Sequence, residues 1–120
     1  MPHKVLRVGI MSKEVFIART MEIVKGEYKP KASEPKIWFE SLQAMAQVLS
    51  NENKKLLKII VEQKPNSLKE LEEITGRKVS NLSRTLHKMA GYGIVELRKE
   101  KKQLRPVVTA TDIHLSYSIL

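Results

Sequence analysis

The chain contains no cysteine, which excludes disulfides, thiolate metal sites and a cysteine nucleophile and gives no sign of an oxidising compartment. Histidine is scarce: His3, His87 and His114 are too scattered for a metal site. Glycine and proline number five each, too few for a fibrous or low-complexity chain. Neither GRK nor GYG has the spacing of a phosphate-binding loop. Only 5% of the residues are aromatic, whereas single-strand binders stack bases on several rings, so Trp38 and Phe39 are read as core anchors. Long apolar runs are missing too. The longest, LLKIIV, is broken by Lys58 and falls far short of the ~20 residues of a membrane span. MPHKVLRVGIM is too short and mixed for a signal peptide. A cytoplasmic protein without membrane segment, metal or cofactor is expected.

What is present is a 120-residue chain, 42% hydrophobic and 29% charged, enough for one domain with a modest core. Its net charge of +9 is unevenly spread. Residues 1–36 carry 8 basic and 4 acidic side chains, residues 37–76 carry 5 and 6, and residues 77–120 carry 9 and 3. A basic excess concentrated on one segment is the electrostatic footprint of a polyanion partner.

Apolar periodicity gives the elements. KVLRVGI alternates as a short strand. Ser12 can cap SKEVFIARTMEIVKG, which has apolar residues near helical spacing and a stop at Gly26. Residues 27–36, EYKPKASEPK, hold two prolines and no period and are read as a linker. IWFES is a short extended piece. Ser41 can cap a helix with a Leu42, Met45, Ala46 and Leu49 stripe, and NENKKLLKIIVEQK forms another with Leu56, Leu57, Ile60 and Val61 inward, ended by Pro65. Ser67 and Glu70 have the spacing of a capping box, after which Leu68, Leu71 and Ile74 face one way until Gly76. Val79, Leu82, Leu86 and Met89 then begin a new stripe. Two helices joined by a tight glycine-containing turn predict a helix-turn-helix. IVELRK and RPVV on either side of KEKKQL predict a hairpin, a wing with a charged tip. DIHLSYSIL alternates as a final strand, with His114 opposite the apolar set.

With its stripe committed to the core, the second helix of the pair leaves Ser80, Asn81, Ser83, Arg84, His87 and Lys88 on its polar side, none of them acidic. In a helix-turn-helix such residues meet the major groove, where Asn pairs with adenine, Arg with guanine, and Ser with phosphates or base edges. Arg77 and Lys78 in the turn and Arg98, Lys99, Lys101 and Lys102 on the wing complete the candidate DNA-binding set. Ser83 and His87 share a face, but no acidic residue near them in sequence can orient the imidazole, so catalysis is not expected.

The stretch SLKELEEITGRKVSNLSRTLHKMAGYGIVELRK resembles the winged helix-turn-helix of MarR-type and related prokaryotic transcription regulators. More of the chain, from FESLQAMAQVLS through RPVV and including the strand-helix start, is similar to predicted DNA-binding regulators of an antitoxin-like family. The resemblance implies an α+β, mainly helical fold and sequence-specific binding of double-stranded DNA, with a recognition helix at about 79–90 and a wing at about 94–108. It also implies an alternative, an interaction module that neutralises a toxin partner. Lys78 stands where many relatives have a capping Ser, Asp or Thr. Either Ser80 caps a helix that starts later, or the first turn is uncapped; that weakens the case for Ser80 at the bases more than for Arg84.

Residues 1–26 are expected to form a strand-helix extension for dimerisation or partner binding, residues 27–36 a linker, and residues 37–120 the winged helix-turn-helix with its final strand. A lone helix-turn-helix makes few base contacts, so a homodimer is expected. Its interface would be built by the residues before the linker, the Ser41–Leu49 helix and the last strand. The two strand edges would be covered by pairing with each other or with a second subunit.

Overall fold

A computed structural model describes residues 4–119; His3 lies outside them. In chain order the elements are β1 (Val5–Ile10), α1 (Lys13–Val24), β2 (Ile37–Phe39), α2 (Leu42–Val48), α3 (Asn51–Gln63), α4 (Leu68–Thr75), α5 (Val79–Gly91), β3 (Val95–Glu100), β4 (Gln103–Val108) and β5 (Asp112–Ser116). The fold is α+β. No helix is long and apolar enough to cross a membrane among the described residues.

The helices begin where local chemistry starts them. Ser12, Ser41, Ser50 and Ser67 each stand in extended backbone at an N-cap, and each hydroxyl accepts the N–H three residues on, satisfying one of the donors a first turn leaves free. Glu70 closes the box one residue earlier than expected, its carboxylate accepting from Asn66 N–H at 3.2 Å rather than from Ser67. Helix α3 stops at Lys64, in left-handed backbone ahead of Pro65.

Two expected apolar stripes are shifted. In α2 the buried residue is Val48, whereas Leu42 and Ala46 are exposed; the helix has only two turns and packs through its C-terminal end. In α4, Ile74 is 36% exposed, because it lies in the final turn, where the helix borders an open cleft against α3. Elsewhere Leu56, Ile60, Leu68, Leu71, Leu82, Leu86 and Met89 join Ile94, Val95 and Val108 in one core.

That core continues into a three-stranded sheet of order β2-β1-β5, parallel throughout. Strand β1 is its middle strand, so the strand of residues 1–26 lies between two strands of residues 37–120. The two outer pieces thus cover the edges of β1 within one chain. Val8 and Phe39 are fully buried, and the Phe39 ring stacks on Tyr92 at 4.2 Å, joining the sheet to the end of α5. Gly9 is required beside Trp38: a Cβ there would lie 2.3 Å from the indole ring. Strand β5 ends at Ser116, so Tyr117 and Ile119 lie beyond the pairing and are exposed.

Residues 27–36 contain no helix or strand but are tied down. Arg19 of α1 pairs with Glu34 at 2.9 Å and lies over the rings of Tyr28 and Trp38, while the Tyr28 hydroxyl also donates to Glu34. The Tyr28 and Arg19 hydrogen bonds hold the Glu34 carboxyl below the usual carboxylate range. The tie is therefore present at neutral pH and is lost as pH falls through that lowered value.

Candidate nucleic-acid interface

Helix α4 ends on Gly76, whose φ of +78° suits the left-handed turn that closes the helix. Thr75 stiffens the joint: its hydroxyl donates to Leu71 C=O at 2.9 Å and accepts from Arg77 N–H at 3.1 Å. After three intervening residues the chain is helical again at Val79. Lys78 occupies the N-cap of α5 and supplies no side-chain cap, but the first turn is not left bare. Glu72 reaches across from α4, and its carboxylate accepts Val79 N–H at 2.7 Å, a negative charge at the positive end of the helix dipole. Of the two expected arrangements, neither is found. The helix starts at Val79, and the preceding helix caps it.

Leu82, Leu86 and Met89 are fully buried along the inner side of α5. Val79, expected with them, is 37% exposed, since it stands in the first turn, where one side is open to solvent. Ser80, Arg84, His87 and Lys88 form the exposed outer ridge, and Ser83 is half-buried on its margin. The candidate residues thus divide. Asn81 lies on a flank, where its Oδ1 accepts from Arg77 Nε at 2.9 Å, and Arg77 Nη2 donates to Thr85 Oγ1 at 3.3 Å. Because guanidinium can only donate, the Asn81 carbonyl oxygen must face Arg77. The adenine pairing expected of Asn81 needs that oxygen, so in this arrangement the residue offers mainly its N–H donors.

His87 Nδ1 lies 2.7 Å from the Ser83 carbonyl oxygen and 3.3 Å from Ser83 Oγ. A carbonyl can only accept, so Nδ1 carries the proton and cannot take one from the Ser83 hydroxyl. This geometry fixes the ring on the ridge and activates no nucleophile.

Strands β3 and β4 pair antiparallel up to Glu100↔Gln103, so the hairpin tip shrinks from the expected KEKKQL to Lys101-Lys102. Both lysines have positive φ, 47° and 67°, the left-handed pair that two-residue hairpin turns need and that Asn-Gly normally supplies. Lys99, Lys101 and Lys102 are exposed, and none is in an ion pair among the described residues. Arg98 is different: it pairs with Glu96 at 3.3 Å. Opposite it, Arg105 pairs with Glu100 at 3.2 Å. The buried Nε of Arg105 has no partner among the described residues, and nothing in the structure explains it.

Sequence reasoning missed Glu72 and Thr85. A basic residue at an N-cap signals that an acceptor must come from elsewhere, and Glu72 is the carboxylate one short turn away. Thr85 carries no such signal, because its part depends on where Arg77 folds back.

Residues 48–115, more than half of the chain, match the model of the family described as HVO_A0114. No curated protein and no solved structure matches the chain.

Proposed function

The chain belongs to the HVO_A0114 family, and we propose that it is a sequence-specific double-stranded DNA-binding regulator of the winged helix-turn-helix, MarR-like kind, acting as a dimer on paired half-sites. The observation that carries this reading is the two-sided character of α5. Its inner side is apolar, with Leu82, Leu86 and Met89 fully buried, while its outer ridge of Ser80, Arg84, His87 and Lys88 is exposed and has no acidic member. In this reading α5 enters the major groove. Arg84 donates to guanine O6 and N7, and Asn81 donates its amide N–H to base or phosphate acceptors. Lys78 and Lys88 meet phosphates, and the hairpin lays Lys99, Lys101 and Lys102 on the backbone or in the adjacent minor groove. Arg77 acts mainly as a positioning residue for Asn81, and Arg98, already paired with Glu96, contributes less than the free lysines.

Selection of bound duplexes from a random library tests the reading, followed by titration of the selected site and a scrambled duplex at several salt concentrations. A two-fold repeated site is expected. Arg84→Ala should then lose about 1 to 3 kcal/mol on the selected site and flatten preference at one base position. Equal weakening of both duplexes would reduce Arg84 to a backbone contact, and absence of any enriched site for the parent would end the DNA reading. The second reading, a toxin-neutralising interaction module whose DNA binding is autoregulatory, draws on a different observation: the apolar residues that α1 leaves exposed.

A further inference from the structure

A twelve-residue helix is marginal in water when nothing packs on it, yet α1 buries none of its residues. One side of α1 is accounted for: Val15, Ala18, Arg19 and Glu22 border a cleft with Tyr28 and Trp38. On the opposite side Ile17, Met21 and Val24 follow at intervals of four and three residues and are 52, 50 and 76% exposed. That spacing makes one continuous apolar stripe, the pattern of a helix that packs against another helix. The molecule is correspondingly extended, with a radius of gyration of 16.3 Å against ~14 Å for a compact chain of this length.

The charges beside the stripe indicate which partner fits. Glu14 and Lys25 are eleven residues apart, about three helical turns, and so lie along the same flank, Glu14 three residues before Ile17 and Lys25 four after Met21. Neither has an ion-pair partner among the described residues. If two copies of α1 run antiparallel, Glu14 of each meets Lys25 of the other. In a parallel pair each flank faces the opposite flank of the partner, so Glu14 and Lys25 would have no partner in each other, and the helix dipoles would be aligned unfavourably as well. We propose that α1 is the seam of a homodimer, packed antiparallel on α1 of a second copy through Ile17, Met21 and Val24, with Glu14 against Lys25 of the second copy at both ends. The inference rests on the dimeric reading above and names its interface.

Sedimentation equilibrium of the full chain without DNA tests it. The parent should be a dimer at micromolar concentration. Met21→Glu should be a monomer with an unchanged far-UV circular dichroism spectrum. Glu14→Lys and Lys25→Glu should each self-associate at least tenfold more weakly than the parent. Mixed in equal amounts, those two variants should regain parental dimerisation, because every mixed dimer has two Lys–Glu contacts. A monomeric parent, a dimeric Met21→Glu protein, or a mixture no tighter than its components overturns the seam. Should Met21→Glu lose helical signal, the charge mixture, which leaves the stripe intact, decides. A chain that is monomeric and still selects a single DNA half-site would sink the seam and leave DNA recognition standing.

Discussion

Glu72 supplies to α5 the acceptor that no residue of its own first turn supplies. The residue belongs to α4 and its carboxylate takes Val79 N–H of α5 at 2.7 Å, so the angle between the helices is fixed by a charged hydrogen bond as well as by packing. Glu72→Ala should cost about 0.5 to 2 kcal/mol, the range for losing an N-cap side chain, with a lower midpoint in urea. Lys78→Ser in the same background should recover part of the loss, since a serine at the N-cap restores a local acceptor. An unchanged midpoint for Glu72→Ala would show that water serves Val79 equally well. The serine caps of α1, α2 and α4 were legible from sequence because a hydroxyl bonds three residues ahead, within one turn; Ser50 caps α3 in the same way but reads in the sequence only as a break in the chain. The Glu72 cap spans two helices and became visible only with their relative placement. The same distinction separates Arg84, whose exposure follows from helix periodicity, from Asn81, whose carbonyl is taken by an arginine folding back from the turn.

At the scale of elements, the hairpin carries an unusual tip. Left-handed backbone costs a residue with a side chain roughly 1 to 2 kcal/mol, and here two successive lysines adopt it. Lys101→Asn with Lys102→Gly gives the turn the residues it favours. The double variant is therefore expected to melt at a higher temperature than the parent. On the proposed DNA-binding reading, its DNA affinity should fall for all sequences alike, with a salt slope smaller by about two units, close to one per lost phosphate contact. A higher melting temperature with unaltered salt dependence would place the tip away from the DNA. The helices and this hairpin were readable because apolar spacing, caps and turn residues are local signals. Parallel pairing was not. The contact of β1 with β5 joins Val5 to Asp112, one of the two expected ways of covering these edges, but alternation along either strand gives neither its parallel direction nor the place of β2 on the other side of β1. The charged run KEKKQL likewise conceals that pairing continues to Glu100 and Gln103.

For the molecule as a whole, the consequence lies in where residues 1–26 stand. A strand that merely extended a complete domain could be removed with little harm, but β1 has a neighbour on each side. One comes from residues 37–39 and the other from residues 112–116. Val8 is fully buried between them, and full burial of a valine stabilises a fold by about 1.5 to 3 kcal/mol. Removing β1 also strips β2 and β5 of their backbone partner and opens the layer on which Phe39 stacks against Tyr92. Deleting residues 1–26 is therefore expected to abolish the cooperative thermal transition of the sheet region, read by circular dichroism and by tryptophan fluorescence of Trp38, instead of simply releasing a folded monomer. The single substitution Met21→Glu, on the outer face of α1, should leave the same transition in place. If the truncated chain melts as sharply as the parent, the helices and hairpin of residues 48–108 fold without the sheet, and β1 is an attachment after all.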